Sequence, residues 1–305
     1  MGRGSVLEGL LGGVLVGGEG RLADRGQVRA KEGMKAAAEK AEEFRRLHAR
    51  NQAWVIANPW DAGSARVLAH LGFEALATSS AASAGTLGRG DYGLTRDEAL
   101  EMARRIVEAV DVPVSADLEN GFGDSPEEVA ETVRRAAEIG LAGCSIEDAP
   151  GDAAPYEIGL ATERVRAAAD AACGVGRPFV LTARSEGFAR GVRDLGEVVK
   201  RLRAYEGAGA EVLFPVGLPD LESYRVVCAA VTKPVNGIGG IKGRPFTVAQ
   251  LAEVGVRRVS VATAFWRAAM TALYEAAGEV RVGGTFEFGQ RARSSGEIAG
   301  WMGSE

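Results

Sequence analysis

Carboxylates recur through the middle of this 305-residue chain, each set at the end of a short apolar run. Asp117 and Glu119 close PVSADLE (113–119), Glu147 and Asp148 close CSIED (144–148), and Glu186 follows Arg184 in FVLTARSE (179–186). Ser79-Ser80 ends ALATSS (75–80) in the same way, and Asn236 falls within PVNGIG (234–239). Burying one unpaired carboxylate is costly, and gathering several requires a cation to neutralise them. Oxygen ligands with no Cys or His among them select a hard divalent ion, Mg2+ or Mn2+, rather than zinc. Arg184 adds a planar fork of donors suited to a substrate carboxylate. Structural alternatives exist for each motif taken alone. Asp117 and Glu119 read equally as helix-entry residues paired with Arg184, Glu147 and Asp148 as caps of the following segment, and Ser79-Ser80 as turn residues. Their joint occurrence at successive strand ends favours a site.

The elements that must position these groups follow a regular alternation from Ala36 onward. Residues 36–48 have the pattern of an amphipathic helix. Eight short apolar runs then follow: WVIANP (54–59), ALATSS (75–80), PVSADLE (113–119), CSIED (144–148), FVLTARSE (179–186), VLFPVG (212–217), PVNGIG (234–239) and RVSVAT (258–263). Helix-periodic stretches separate them, among them 95–110, 125–140 and 195–209. Thr95-Arg96-Asp97-Glu98 and Ser125-Pro126-Glu127-Glu128 are helix starts, a capping residue followed by acids. Gly72, Gly140, Gly209 and Gly255 stand where helices stop before the next strand. Apolar runs without alternation imply burial on both faces, hence a parallel sheet. Eight strand–helix units in about 250 residues predict a closed (β/α)8 TIM-type barrel, whose active site lies at the C-terminal strand ends. An open doubly wound sheet is the alternative, disfavoured because no G-x-G-x-x-G turn follows the first strand.

Composition narrows the function classes. Hydrophobic residues make up 46% of the chain and charged residues 25%, an ordinary globular balance. A net charge of −5, with basic residues spread over predicted helices, leaves no nucleic-acid footprint. Cys144, Cys173 and Cys228 have neither disulfide nor zinc spacing, which points to a reducing, cytoplasmic setting. His48 and His70 are read as exposed or helix-end residues, so a Ser-His-Asp enzyme and a His-rich metal site are both disfavoured. No apolar stretch approaches the ~20 residues of a membrane span. The domain reading is a flexible Gly-rich leader over 1–33, a catalytic barrel over 34–282, and a C-terminal tail over 283–305 whose Phe286, Phe288 and Trp301 pack on the barrel or on a second subunit.

NPWDAGSARVLAHLGFEALATSSAASA (58–84), VPVSADLENGFGD (112–124), SIED (145–148) and LTARSE (181–186) together resemble the isocitrate lyase/phosphoenolpyruvate mutase superfamily. The resemblance runs from about residue 40 to about residue 270. It implies a (β/α)8 barrel, often with the last helix swapped between subunits of a homodimer or homotetramer. It also implies Mg2+ (Mn2+ as a substitute) and small 2-oxo or 2-hydroxy acid substrates, whose C–C or P–C bonds form or break through an enolate. By the same resemblance Asp117 is the direct metal ligand, with Glu119 and Glu147 acting directly or through water. Arg184 binds the substrate carboxylate and oxo oxygen, with Glu186 near it. Ser79, Ser80 and Ala81 hold that carboxylate, Asp91 stands near the metal on the loop after strand two, and Asn236 is a polar position on strand seven.

Two departures bear on the reaction. The superfamily's lyases carry K-[KR]-C-G-H on the loop after strand four, where this chain has APGDAAPYEIG (149–159) without Cys, Lys or His. The loop offers Asp152, Tyr156 or Glu157 in its place, and nothing in the sequence selects among them. GIGGIKGRP (237–245) brings Lys242 and Arg244 towards the barrel mouth, as a phosphate site or as a surface turn. The expected function is a Mg2+-dependent lyase or hydrolase that cleaves a C–C bond of a small 2-oxo acid or dicarboxylate. Oxaloacetate decarboxylase-like, oxaloacetate hydrolase-like and isocitrate lyase-like reactions fall within it. The alternatives are phosphonopyruvate or phosphoenolpyruvate mutase-type P–C chemistry and a non-catalytic 2-oxo acid binding protein.

Overall fold

A computed structural model describes residues 36–303 and starts in a helix, α1 (36–48). The leader over 1–33 lies outside the described residues. Eight strands follow: β1 (Trp54–Ile56), β2 (Leu76–Ala77), β3 (Val114–Asp117), β4 (Gly143–Glu147), β5 (Val180–Ser185), β6 (Val212–Pro215), β7 (Asn236–Ile238) and β8 (Arg258–Ser260). They coincide with the eight apolar runs. Every strand pairing is parallel, in a five-stranded ladder β2-β3-β4-β5-β6 and a three-stranded ladder β1-β8-β7. Isolated parallel bridges Ala57↔Leu76 and Leu213↔Val235 join the two ladders at both seams, so the strand order closes on itself. That closure excludes the open sheet.

The intervening helices are α2 (Ala62–His70), α3 (Ser80–Thr86), α4 (Arg96–Ala109), α5 (Pro126–Glu138), α6 (Ile158–Cys173), α7 (Leu195–Gly207), α8 (Leu221–Ala230) and α9 (Val248–Glu253). α4 and α5 begin in full capping boxes built by Thr95 with Glu98 and by Ser125 with Glu128. Gly72, Gly140, Gly209 and Gly255 all adopt positive φ, between 86° and 107°, which lets the chain turn from helix into strand. Outward strand residues such as Cys144, Ile146, Leu181, Ala183 and Val259 pack beneath the helices in the main core. The inward set alternates with them and is largely polar: Ser115 and Asp117, Ser145 and Glu147, Thr182 and Arg184, Arg258 and Ser260. Both strand faces are buried, as the sequence implies, but the inner one is built for chemistry.

Beneath this polar interior, Ala41, Phe44 and Leu47 of α1 pack on Trp54, Ile56, Ala75, Ala142, Val180 and Val212, closing the N-terminal end of the barrel. At the β1–β2 seam Asn58 donates to Ala77 O at 2.9 Å and accepts from Val261 N and Ala262 N at 2.8 and 3.0 Å. It thereby ties β2 to the turn that leads into α10 (Ala264–Gly283). None of α10's residues is buried. A 3-10 turn (Glu287–Gln290) and α11 (Ser295–Trp301) complete the described chain. The Trp301 ring lies 6.3 Å from that of His70, an exposed helix-end residue as expected, and Arg66 donates to the Met302 carbonyl. His48 is likewise a helix-end residue, the last of α1, and is half-buried between Phe44 and Trp54 because that end of the helix plugs the barrel. All three cysteines are free. No described helix is long and apolar enough to cross a membrane.

Candidate active site

The C-terminal strand ends surround a cavity of about 240 Å³. Ser79, Ser80, Ala81, Asp91, Asp117, Glu147, Arg184 and Asn236 all line it. Glu119 does not. It lies just behind the wall, 5% exposed.

Arg184 is the hub. Its Nη1 sits 2.9 Å from Asp117 Oδ1 and 3.0 Å from Glu147 Oε1, while Nε and Nη2 approach Glu186 Oε1 at 2.9 and 2.8 Å. The register that aligns Glu147 with Arg184 across β4 and β5 sets this geometry. The guanidinium carbon also lies 5.3 Å from the Phe214 ring centre. One Nη2 proton is left without a described partner, and Arg184 lines the cavity. Burial lifts the Glu147 and Glu186 carboxyls above the usual carboxylate range, even with Arg184 pulling the other way. Packing around Asp91 and the charge of Asp117 raise the Asp91 carboxyl as well.

Asp117 is held from three sides. Its Oδ2 accepts from Ser80 Oγ at 2.8 Å and from Ser80 N at 3.3 Å, and its backbone N–H donates to Thr78 Oγ1 at 3.0 Å. Ser79 caps α3 through Ala82 N. The serine pair therefore braces Asp117 and starts a helix, leaving the Ala81 N–H as a first-turn donor without an intrahelical acceptor.

The turn after β3 is the strained part of the site. Glu119, Gly121 and Phe122 have φ of 50°, 87° and 60°, a left-handed region that side-chain-bearing residues rarely adopt. Arg164 of α6, 1% exposed, holds the turn by donating to the carbonyls of Asn120, Gly123 and Asp124. Glu119 Oε1 is buried with no hydrogen-bond partner. Burial, then the charges of Asp117 and Asp91, push its pKa up to about 8.

The loop after β4 turns its three candidate acids to other partners. Asp152 pairs with Arg190 at 2.9 Å, and Glu157 caps α6 through Gly159 N. Tyr156 donates to Asp124 Oδ1 at 2.6 Å and lies against Arg164. None of the three lines the cavity. Periodicity does not say which way loop side chains point. Tyr92 faces inward instead, from the loop after β2, with φ of 60°. Its hydroxyl donates to Glu147 Oε2 at 3.2 Å and accepts from Arg190. Burial and Glu147 raise its pKa, so the phenol keeps its proton. Tyr92 carries no sequence signal beyond its position next to Asp91.

Asp148 points away from the cavity, accepting from Glu186 N at 2.8 Å, Tyr205 Oη at 2.6 Å and Arg201 Nη1 at 3.2 Å. It anchors the ends of β4 and β5 to α7. Lys242 and Arg244 do not line the cavity either. Arg244 donates to the carbonyls of Gly217 and Leu218 at 3.1 and 2.7 Å, so GIGGIKGRP is a stapled surface turn rather than a phosphate site. Asn236, fully buried, accepts from Arg258 Nε at 2.7 Å and donates to Ser260 Oγ at 2.9 Å. Arg258 lines the cavity and was not among the sequence candidates.

Compared with known proteins, the family model described as phosphoenolpyruvate phosphomutase matches residues 44–281. The 2-methylisocitrate lyase of Escherichia coli (strain K12) is 35% identical over 185 residues, which is 57% of this chain and 61% of that enzyme. An oxaloacetate decarboxylase of Bradyrhizobium sp. (strain BTAi1) is 34% identical over 236 residues, 73% of this chain and 79% of that one. Among solved structures, a Burkholderia cenocepacia J2315 protein named only as a lyase/mutase superposes with a TM-score of 0.86 at 48% identity, covering 88% of this chain and 98% of that chain.

Proposed function

The chain belongs to the phosphoenolpyruvate phosphomutase family, within the isocitrate lyase/phosphoenolpyruvate mutase superfamily, and from that premise we propose that it cleaves a C–C bond of a small 2-oxo acid or dicarboxylate through an enolate-like intermediate, with a divalent cation bound. The observation that carries this reading is the convergence of Asp117, Glu147 and Glu186 on one guanidinium, with Asp91 and Glu119 beside them. Five carboxyls gathered about Arg184 leave negative charge that protons or a cation must offset.

The donor set fits Mg2+ or Mn2+. All its members are hard oxygens, and Glu119 Oε1 is a buried acceptor with no partner. Among the described residues no three His, Cys, Asp or Glu side chains form a ready metal cage. Mg2+ tolerates that, since it keeps several waters and takes one or two carboxylates. Asp117 would hold the ion, with Glu119 and Glu147 reaching it directly or through water. When bound, such an ion supplies Lewis-acid polarisation of an oxo group.

The chain's own residues account for the rest. Ser80 and Thr78 fix Asp117, and Ser79, Ser80 and Ala81 form the rim on which a substrate carboxylate rests. As the bond breaks, charge develops on the oxo oxygen, and the Arg184 guanidinium stabilises that charge more than it stabilises the ground state. Asp91, at the mouth, and Tyr92, holding its proton against Glu147, wall the cavity beside the carboxyls. The relatives named as 2-methylisocitrate lyase and oxaloacetate decarboxylase support C–C cleavage of a small acid.

The test is NMR observation of oxaloacetate, other 2-oxo acids, 2-methylisocitrate and phosphonopyruvate with the full chain and Mg2+. Turnover of a C–C substrate is expected, removed by EDTA and lowered at least about 1,000-fold in Asp117→Ala. Turnover of phosphonopyruvate alone, binding without product over days, or an Asp117→Ala enzyme of unchanged metal dependence would overturn the proposal.

A further inference from the structure

A second guanidinium stands lower in the same cavity, with no acid to answer it. Arg258, the first residue of β8, is 5% exposed and lines the cavity. It crosses the barrel interior to β5, where Nη2 donates to Thr182 Oγ1 at 3.0 Å. Nε donates to Asn236 Oδ1 at 2.7 Å, and Nη1 meets His48 Nε2 at 3.1 Å. All three acceptors are neutral. His48 Nδ1 lies 2.8 Å from the Phe44 carbonyl oxygen, which makes Nδ1 the protonated nitrogen and leaves Nε2 a lone pair for Arg258. Burial pushes the His48 pKa down to about 3, so the ring stays uncharged.

Other buried arginines of the fold are answered differently. Arg184 has three carboxylates, Arg201 has Asp148, and Arg164 has backbone carbonyls of a surface turn. Arg258 forms no ion pair among the described residues, and burial alone pulls its pKa down to about 9. A buried cation without a counter-ion is among the costliest groups a core can hold. Its described hydrogen bonds use three of its five N–H donors, leaving one on Nη1 and one on Nη2.

Thr182 precedes Arg184 by two residues on β5, a rise of about 7 Å along the strand. Two guanidiniums therefore mark two levels of one cavity of about 240 Å³. The upper one stands among the carboxyls of the reaction centre, and the lower one stands alone. Two levels with a guanidinium at each suit the two charged ends of a small diacid, where a monoacid has a charge for only one.

We propose that Arg258, its plane fixed by Asn236, forms a second anion subsite that receives the distal carboxylate of a 2-oxo diacid and makes the enzyme select diacids over monoacids. The proposal rests on the 2-oxo acid reading above and adds the substrate's second charge. A bound diacid supplies the counter-ion that the fold withholds from Arg258, and a monoacid such as pyruvate cannot.

Calorimetric titration of the full chain with pyruvate, oxaloacetate and 2-oxoglutarate, with Mg2+ present, tests it. At least one diacid should bind about tenfold or more tightly than pyruvate, the scale of a charge-assisted hydrogen bond. That ratio should fall to about one in Arg258→Gln. A second variant guards against a failure of Arg258→Gln to fold. Thr182→Asp places a carboxylate against Nη2, so it should raise the Tm and abolish the diacid preference together. Diacid preference retained in either folded variant makes Arg258 a brace of the barrel floor and overturns the proposal. Equal binding of pyruvate and the diacids by the wild-type chain overturns it while leaving the proposed function intact. Binding of none of the three acids overturns the subsite, and the proposed function then stands or falls on the NMR turnover test.

Discussion

Glu119 keeps a carboxyl where one of its oxygens meets neither water nor a donor. Its pKa of about 8 lies above that of an unfolded Glu, near 4.3, so the folded state holds a proton that the unfolded chain releases. In the absence of divalent ions this group therefore lowers stability progressively as pH rises from about 4.3 to 8. Glu119→Gln should raise the Tm of the metal-free protein at pH 8, leave it nearly unchanged at pH 4.5, and weaken Mg2+ stabilisation. A thermal series over that range, with EDTA and with Mg2+, checks this, and an unaltered pH slope in the variant would refute the assignment. The same residue marks what the sequence conveys. Asp117, Glu147 and Arg184 are legible because each follows an apolar run, and strand alternation then dictates that they face inward together. Tyr92 is not legible, because its aim depends on a left-handed backbone at φ of 60° in a loop. Arg258 escapes notice because an Arg at the start of a strand reads as an edge residue until the barrel closes around it.

Among the elements, strands and helices are set by local rules, and the loops are set by what grips them. The ENGFG turn holds three residues at positive φ, two of them not glycine. Such strain persists only where surroundings over-determine it. Arg164 supplies that constraint, reaching from α6 to three carbonyls of the neighbouring loop, with Tyr156 stacked beneath it at 4.3 Å. Arg164→Met preserves much of the side-chain volume but leaves those carbonyls unanswered. It should cost about 2–4 kcal/mol in denaturant unfolding, since charged donors to buried acceptors are lost together. Activity should fall more steeply than stability, because Glu119 stands at the start of this turn. A folded variant with wild-type stability would show that the turn holds itself. From sequence the helix bearing Arg164 is recognisable, but its partner is not, because the contact spans some forty residues and obeys no period. The same blindness leaves Asp152, Tyr156 and Glu157 open as alternatives in the sequence, although their side chains brace loops and a helix end.

At the scale of the whole molecule, α10 is the element without a home. Its first turn touches the barrel: the Trp266 indole lies so close to Gly85 that a Cβ there would fall 2.5 Å from the ring, and Arg267 donates to Gly240 O at 2.8 Å. Beyond that turn Met270, Leu273 and Tyr274 are 44%, 59% and 82% exposed. These residues sit at i, i+3 and i+4 and form one apolar stripe on a helix of 20 residues. An isolated helix gains little stability from propensity, and a stripe of this size exposed to water marks an interaction surface. The sequence resemblance implies a last helix exchanged between subunits, and an eighth barrel helix with none of its residues buried is what such an exchange requires of each copy. We therefore expect a homodimer or a larger even assembly in which α10 of one copy packs on the barrel of another. Light scattering after gel filtration should give a mass of at least two chains. Leu273→Asp combined with Tyr274→Asp places two buried charges in that contact, and should yield monomers with a Tm lower by several degrees. A wild-type chain that runs as a stable monomer, or a double variant with unchanged mass, would leave α10 a free arm and remove the exchange from the description of this fold.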